Sequence, residues 1–395
     1  MSHLSKHSHQ LLFPWRKHNQ FNLLIDGEIF FDEMLSAINS AQRTVLMEMY
    51  LVHSGSVLNR FLDAILLAAE RGISIYLLFD DFGSAGFKTS DRERLTHSNI
   101  HCAYYNPLFS HNIFLNLYRI ILRRNVHSLY RNHRKLLVID DTTAFVGGAG
   151  IVDEFVSDES TEPAWRETMI KIKGESVHDW SQLFKETWQL TNNETLPISD
   201  HPVSEYSYNQ SGHVSVNRIQ RYSELLQSVN NQMYNAQQRI WFSTAYFVPG
   251  WKIRRRLKRA ARSGIDVRLL LPGPISDHPA VRYVSQRFYH RLLRNGVRIF
   301  ELQNRFLHSK CVLCDNWVSI GSSNFDRWNL RWNLEANQEI SNERFATSIQ
   351  QMFEHDFVNS IEITLDSWKK RSIYHQLLIW FWKKVEDLSH KIKNQ

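Results

Sequence analysis

The chain has 395 residues, room for two hydrophobic cores, and 43% hydrophobic with 22% charged residues is ordinary for a soluble globular protein rather than a disordered one. Three cysteines exclude a disulfide framework, and no run reaches the roughly 18 apolar residues of a membrane-spanning helix. A net charge of +7 favours polyanions, either nucleic acid or the anionic face of a membrane, and 12% aromatic residues tilt that choice towards membrane.

The start, Met1 to His9, is polar and has no signal-peptide core; residues 1–20 read as a flexible tail. Arg43 to Val52 then reads as a buried strand. Val57 to Glu70 is predicted helical, because apolar residues recur at 57, 58, 61, 62, 65, 66 and 69. Gly72 closes that helix, Ile73 to Phe79 is a strand, Asp91 to Thr96 a short helix and His101 to Tyr105 a strand. Lys135 to Ile139 and Ala144 to Val146 follow as strands.

The same order returns in Arg239 to Phe247, Trp251 to Arg262, Asp266 to Leu271, Ala280 to Arg294 and Val297 to Leu302, with Gly264 and Gly296 in the place of Gly72. Strands alternating with helices predict an α/β fold of two pseudo-symmetric repeats, each a mostly parallel mixed sheet flanked by helices. The repeats are expected over residues 21–190 and 216–360, joined by a polar linker at 191–215 that contains Pro197 and Pro202. Residues 361–395 form an aromatic and basic helical segment. There Ile373 to Trp382 lies between Lys369-Lys370-Arg371 and Lys383-Lys384, which fits an interfacial anchor and a core-closing helix equally well.

Matched against the second repeat, the first carries 22 extra residues within Asn106 to Arg131. As a helix, this insertion has Phe114, Leu117, Tyr118 and Ile121 on one face and Arg119 and Arg123 opposite. A basic, aromatic amphipathic helix lies in a bilayer surface, so these six are the expected membrane contacts.

Each repeat ends in one pattern. His133-Arg134-Lys135, with Asp140, precedes Gly147-Gly148-Ala149-Gly150; His308-Ser309-Lys310, with Asp315, precedes Gly321-Ser322-Ser323-Asn324. Residues two apart in an extended strand face the same side, so each motif sets an imidazole beside an ammonium. A lone His-x-Lys is usually structural; two copies after matching elements make a constellation. Cys311 and Cys314 face opposite sides of their strand and read as buried small hydrophobes, not as a zinc or redox pair.

Two H-x-K-x4-D motifs in one chain resemble the phospholipase D superfamily. The neighbouring Trp165-Arg166-Glu167-Thr168, and Gly321 through Trp328 with Asn333 and Glu335, are similar to its bacterial cardiolipin synthase branch, over about Asn22 to Gln338. The resemblance implies one site at the interface of the repeats. One histidine there attacks phosphorus; the other protonates the leaving alcohol and then deprotonates the acceptor.

Phosphodiester transfer needs a nucleophile, an acid, and positive charge around the equatorial oxygens. Two histidines and two lysines supply all three, so no metal and no cofactor are expected. His133 is assigned the attack and His308 the acid–base role, although the symmetry of the motifs leaves these interchangeable. Lys135, Lys310 and Asn324 are expected to hold phosphate oxygens, with Gly148, Ser322 and Asn333 in support. The family pattern implies that Glu154 and Glu335 each orient one histidine. Asp140 and Asp315 end their strands and are expected to tie down the motif backbone.

Two departures stand out. Gly150 occupies the place where the family has asparagine, which removes a phosphate ligand. Asp140 to Gly147 is one position longer than Asp315 to Gly321, which predicts repeats of unequal geometry.

The expected activity is transfer of a phosphatidyl group from a phospholipid such as phosphatidylglycerol to a hydroxyl of phosphatidylglycerol, releasing glycerol. Exchanging one phosphodiester for another needs no nucleotide, and no Walker A sequence occurs. The expected partners are phospholipid substrates and an anionic membrane surface, with no nucleic acid; the oligomeric state is open. The expected location is peripheral, on the cytoplasmic face of a bacterial membrane. A phosphodiesterase or nuclease of the same superfamily has less need of an amphipathic insertion. A silent anionic-lipid-binding protein would not need both motifs intact.

Overall fold

A computed structural model describes residues 12–107, 130–157, 163–196, 207–217, 223–326 and 332–394, with backbone alone for 386–394. The first repeat runs β1 (Arg16–Ile25), α1 (Gly27–Asn39), β2 (Thr44–Met49), α2 (Ser56–Glu70), β3 (Ser74–Asp80), α3 (Thr89–Glu93), β4 (Ile100–Tyr105), β5 (Arg131–Asn132), β6 (Lys135–Ile139), β7 (Thr143–Gly147), β8 (Thr168–Gly174) and α4 (Ser176–Asn192). The second continues with β9 (Gln210–Asn217), α5 (Glu224–Asn235), β10 (Arg239–Ser243), α6 (Trp251–Arg262), β11 (Asp266–Pro272), α7 (Pro279–Gln286), α8 (Tyr289–Leu293), β12 (Arg298–Leu302), β13 (Cys311–Cys314), β14 (Trp317–Gly321) and β15 (Asn333–Ser341). Then come α9 (Glu343–Val358), β16 (Ser360–Ile363), α10 (Leu365–Lys369) and α11 (Ile373–Asn394).

All the strands form one mixed sheet with β1 and β9 antiparallel at its centre. Outward from β1 the order is β8, β7, β6, β2, β3, β4; outward from β9 it is β15, β14, β13, β10, β11, β12, so the repeats are related by a pseudo-twofold between β1 and β9. The parallel pairs are β2–β3–β4 and β10–β11–β12, because α2 or α6 carries the chain back over the sheet between the first two strands of each set; β16 caps β12 antiparallel at the edge. The strands nearer the centre pair antiparallel, β6–β7 and β13–β14 as hairpins and β7–β8 across a longer connection. Gly72 (φ 86) and Gly264 (φ 87) follow α2 and α6 in the left-handed conformation that ends a helix.

Three cores follow from this layout. On one face, Leu46, Val138 and Trp180 of the first repeat pack in a single cluster with Leu313, Ile349 and Phe353 of the second, beneath α4 and α9, so this core joins the repeats. On the other face each repeat keeps its own core, one containing Phe31, Phe61 and Ile65, the other Val229, Leu257 and Leu292. The sheet thus continues across the repeats while the opposite face stays divided.

Some boundaries differ from expectation. Arg16 to Gln20 belong to β1 rather than to a tail, and β9 begins at Gln210, inside the expected linker. The helix expected over Ala280 to Arg294 is two, α7 and α8, hinged where Gln286 and Tyr289 both turn their side chains onto buried Glu301, at 3.0 Å each. The expected membrane contacts Phe114, Leu117, Tyr118, Arg119, Ile121 and Arg123 lie outside the described residues. The ends of that insertion are tied together: Asn106 Nδ2 donates to the Tyr130 carbonyl at 2.8 Å, and Arg131 donates to the Asn106 carbonyl at 3.1 Å.

Candidate active site

Each motif lies where a strand pair of one repeat meets the other repeat. β6–β7 and β13–β14 are hairpins, with Asp140 (φ 54) and Asp315 (φ 50) in their turns, a conformation Asp tolerates better than most residues. The Asp140 carboxylate accepts backbone N–H bonds from Gln42, Arg43 and Thr44, each 2.8 Å. Asp315 does the same for Gln237, Gln238 and Arg239 at 2.8–3.0 Å. Both aspartates therefore anchor the starts of β2 and β10, at the opposite ends of β6 and β13 from the histidines. They do not touch the reacting groups, although the motif includes them.

The extra residue between Asp140 and Gly147 falls in this same turn. Leu136 pairs with Val146 and Cys311 with Ile320, so Lys135 and Lys310 stand in the same register to Gly147 and Gly321. The length difference expected to make the repeats unequal is absorbed far from the histidines.

The histidines are held across the repeats. His133 Nδ1 lies 3.0–3.1 Å from both oxygens of Glu335, at the start of β15, and its backbone N–H donates to the Leu334 carbonyl at 3.0 Å. His308 Nδ1 lies 2.6 Å from Glu167 Oε2, just ahead of β8, and its N–H donates to the Arg166 carbonyl at 2.9 Å. With Nδ1 engaged by a carboxylate, Nε2 is the nitrogen of each ring that can face substrate, in His308 beside the Lys310 ammonium at 3.3 Å. Glu167 takes the place expected of Glu154. Glu154 is exposed, and its contribution is a carbonyl that accepts the Trp165 N–H at 2.7 Å.

The glycine-containing turns explain the remaining differences. A Cβ on Gly148 would fall 2.3 Å from the Glu167 carboxylate, so the position is bare where Ser322, in the other repeat, donates its hydroxyl to Glu335. A Cβ on Gly150 would lie 2.5 Å from the Leu51 carbonyl oxygen, which leaves no room for a counterpart of Asn324. Asn324 is buried, and its Oδ1 has no hydrogen-bond partner among the described residues. Asn333 opens β15 beside Arg131, and its carbonyl accepts from Asn217 at 3.1 Å.

Lys135 Nζ donates to the His133 carbonyl at 2.6 Å and lies 5.0 Å from the Tyr50 ring centre; Lys310 Nζ stands 3.4 Å from Glu167 and 3.0–3.3 Å from both ring nitrogens of His308. Burial pushes Lys135 down to about 7 and lowers Lys310. Burial, then the Lys310 ammonium, pushes His308 down to about 4 against the pull of Glu167, which favours the neutral ring near pH 7. His133 is lowered as well, chiefly by burial, and each histidine senses the lysine of the other motif. Tyr50 packs edge-on to His133 at 4.6 Å, whereas Trp165, Phe155 and Phe306 surround His308 at 5.3–5.8 Å. Chemically, this is a buried site in which two carboxylates and two lysines surround two rings able to attack or to carry a proton.

Sequence reading quotes Glu167 only within Trp165-Arg166-Glu167-Thr168 and gives it no role; Tyr50, Phe155, Asp80 and Glu48 it does not single out. Asp80 accepts the Asn132 N–H at 2.8 Å and Glu48 the Asn132 side chain at 2.7 Å, which together fix the residue before His133. The strand register shows the equivalence of the two glutamates: Glu167 precedes by two the residue paired with Gly147, as Glu335 does for Gly321.

A family model described as "Cardiolipin synthase, PLD-like domain" matches residues 34–188 and 229–357. The cardiolipin synthase of Clostridium perfringens (strain SM101 / Type A) is 30% identical over 372 residues, covering 92% of this chain and 75% of that relative. Cardiolipin synthase A of Pseudomonas fluorescens (strain Pf-5) is 28% identical over 369 residues, covering 92% and 74%. Among solved structures, phosphatidylserine synthase of Haemophilus influenzae Rd KW20 matches 96% of both chains with a TM-score of 0.71 at 14% identity, a likeness of fold. The chain therefore belongs to the phospholipase D-like cardiolipin synthase family, whose members are phospholipid phosphatidyltransferases.

Proposed function

We propose that the chain transfers a phosphatidyl group from phosphatidylglycerol to a hydroxyl of a second phosphatidylglycerol through a phosphohistidine. The observation that carries this reading is the crossed pairing of His133 with Glu335 and of His308 with Glu167, which gathers both motifs into one seam. Relatives named cardiolipin synthases support the choice of lipid substrate.

His133 Nε2 attacks phosphorus, and the bond from phosphorus to the glycerol oxygen breaks. That oxygen takes the proton of His308, and glycerol leaves. Glu335 balances the charge gained by the phosphorylated ring. The hydroxyl of the second phosphatidylglycerol then gives its proton to His308 and attacks phosphorus, the phosphorus–nitrogen bond breaks, and His133 is restored. The shorter His308–Glu167 bond suits the ring that must gain and return a proton. A bound phosphodiester anion draws on the Lys310 charge, which lifts the depressed affinity of His308 for that proton.

The test is purified protein with phosphatidylglycerol vesicles, followed by acid quench of a reaction labelled in the phosphate. Glycerol, cardiolipin and label on His133 are expected. Phosphatidic acid as the sole product would defeat the transferase reading, and label on His308 would reverse the assignment of roles.

A further inference from the structure

We infer that α11 is the element by which this chain rests on an anionic phospholipid bilayer, lying along the interface rather than crossing it. The inference rests on the reading of the substrates as membrane lipids.

One side of α11 is committed to the protein. Ile379 and Trp382 join the core of the second repeat, and His375 Nε2 stands 2.8 Å from Gln286 Oε1 of α7. The other side is apolar too: Ile373, Tyr374, Leu377, Trp380, Phe381 and Val385 are 41–76% exposed. Their spacing of three and four places them on one continuous stripe. A surface helix with one buried face normally turns polar groups outward. Among the described residues, six of the fifteen large exposed apolar side chains fall within these thirteen positions, so the stripe is a patch and not ordinary surface scatter.

The chemistry of the stripe selects its occupant. Tyr374 and Trp380 are rings of the kind that settle at headgroup depth. Lys369 and Lys370 lie just ahead of the stripe and Lys383 and Lys384 at its far end, all exposed, with Lys384 Nζ 5.9 Å from the Trp380 ring. Apolar side chains flanked by cations match hydrocarbon beneath anionic headgroups. A second copy of this chain would bring the same cations against each other. Among the described residues no helix is long and apolar enough to cross a membrane, so contact through α11 is lateral.

The stripe is also close to the chemistry. α11 packs on α7, and α7 begins directly after Asp277 and His278, where the Asp277 charge acts on Lys310. Eight residues of α-helix span about 12 Å. α7 thus links the helix proposed to meet the bilayer with the neighbourhood of Lys310.

The experiment compares the full chain with the variant Leu377→Ser, Trp380→Ser, Phe381→Ser on vesicles of equal phosphatidylglycerol and phosphatidylcholine. About tenfold weaker partitioning or more is expected from losing three interfacial apolar groups, with transfer from phosphatidylglycerol in detergent micelles unchanged. Undiminished vesicle binding would overturn the inference, as would a self-associated parent chain that the substitutions turn into monomer without loss of binding. Trp380→Phe guards against misfolding: it should keep the binding while losing part of the fluorescence quenching by brominated lipid, and full quenching would place Trp380 outside the bilayer. Failure of the parent chain to transfer in micelles would count against the proposed reaction, while the change in vesicle binding on substitution still reports on α11.

Discussion

Glu167, in the first repeat, holds its carboxylate 2.6 Å from Nδ1 of His308, in the second. Because His133 and Glu335 make the reciprocal pair, neither repeat contains a complete site, and the seam between them is where reactivity arises. This pairing also separates two glutamates that sequence spacing alone confuses.

Glu167→Gln should lower kcat by roughly 10²–10⁴, the range typical of a positioned acid–base group, with little change in KM. The amide still fits but cannot balance an imidazolium. Glu154→Gln should leave turnover within about twofold, since that carboxylate is exposed. Cardiolipin formation from phosphatidylglycerol, measured across substrate concentrations, checks both; equal losses would return Glu154 to the site.

The lysines set an alkaline limit. Lys135, pushed down to about 7 by burial, loses its charge as pH rises through that value, and with it part of the hold on phosphate oxygens. In the free enzyme kcat/KM should therefore already decline with rising pH between 5 and 7, because the acid His308 is depressed to about 4, and decline more steeply above about 7 as Lys135 loses its charge too. A bound phosphodiester anion favours the charged lysine, so the alkaline limb of kcat should lie higher than that of kcat/KM. Lys135→Arg should lower the rate and move the alkaline limb upward, because guanidinium stays charged. Rates from pH 5 to 9 decide it.

How far the sequence discloses this arrangement depends on whether each residue obeys the pattern of its element. β2, β3, β10 and β11 are near-continuous apolar runs and their helices have a clear period, so the outer halves of the sheet can be read directly. The strands at the centre cannot. β9 (QSGHVSVN) and β15 (NLEANQEIS) bury polar side chains because the repeats meet there through hydrogen bonds: Gln338 accepts from Trp180 at 2.8 Å, and Asn19 of β1 donates to the Gln210 carbonyl of β9 at 3.2 Å. The motifs are conspicuous because they occur twice. Glu167 is hidden because the stretch from Gly148 is longer than its counterpart from Ser322, and only the strand register lines the two up.

Asp140 and Asp315 test structure without chemistry. Each accepts three backbone N–H bonds, and a hydrogen bond to a charged group contributes about 1.5–3 kcal/mol. Asp140→Ala or Asp315→Ala should therefore destabilise by about 3 kcal/mol, read as a lower denaturation midpoint in urea, while the protein that remains folded keeps nearly full kcat. A collapse of kcat at unchanged stability would mean that these carboxylates reach the substrate after all.

Arg166 offers the sharpest test of the seam. Its guanidinium makes a bidentate pair with Asp356 of α9 at 3.0 and 2.8 Å, both side chains are buried, and its own carbonyl holds the His308 N–H. Removing one partner of such a pair strands the other charge without solvent, at a cost of about 3–5 kcal/mol. Arg166→Met alone and Asp356→Leu alone should each unfold at markedly lower urea concentration. The double variant should be more stable than either, because neither charge is then left buried and apolar side chains fill the space. Its kcat should still fall, since Arg166 also donates to the Glu167 carbonyl at 2.6 Å and to Thr168 at 2.9 Å and so fixes the segment that presents Glu167 to His308. Urea unfolding of all four proteins yields the coupling energy, and turnover of the double variant separates holding the seam from aligning the histidine. Additive destabilisation would show that Arg166 and Asp356 act independently.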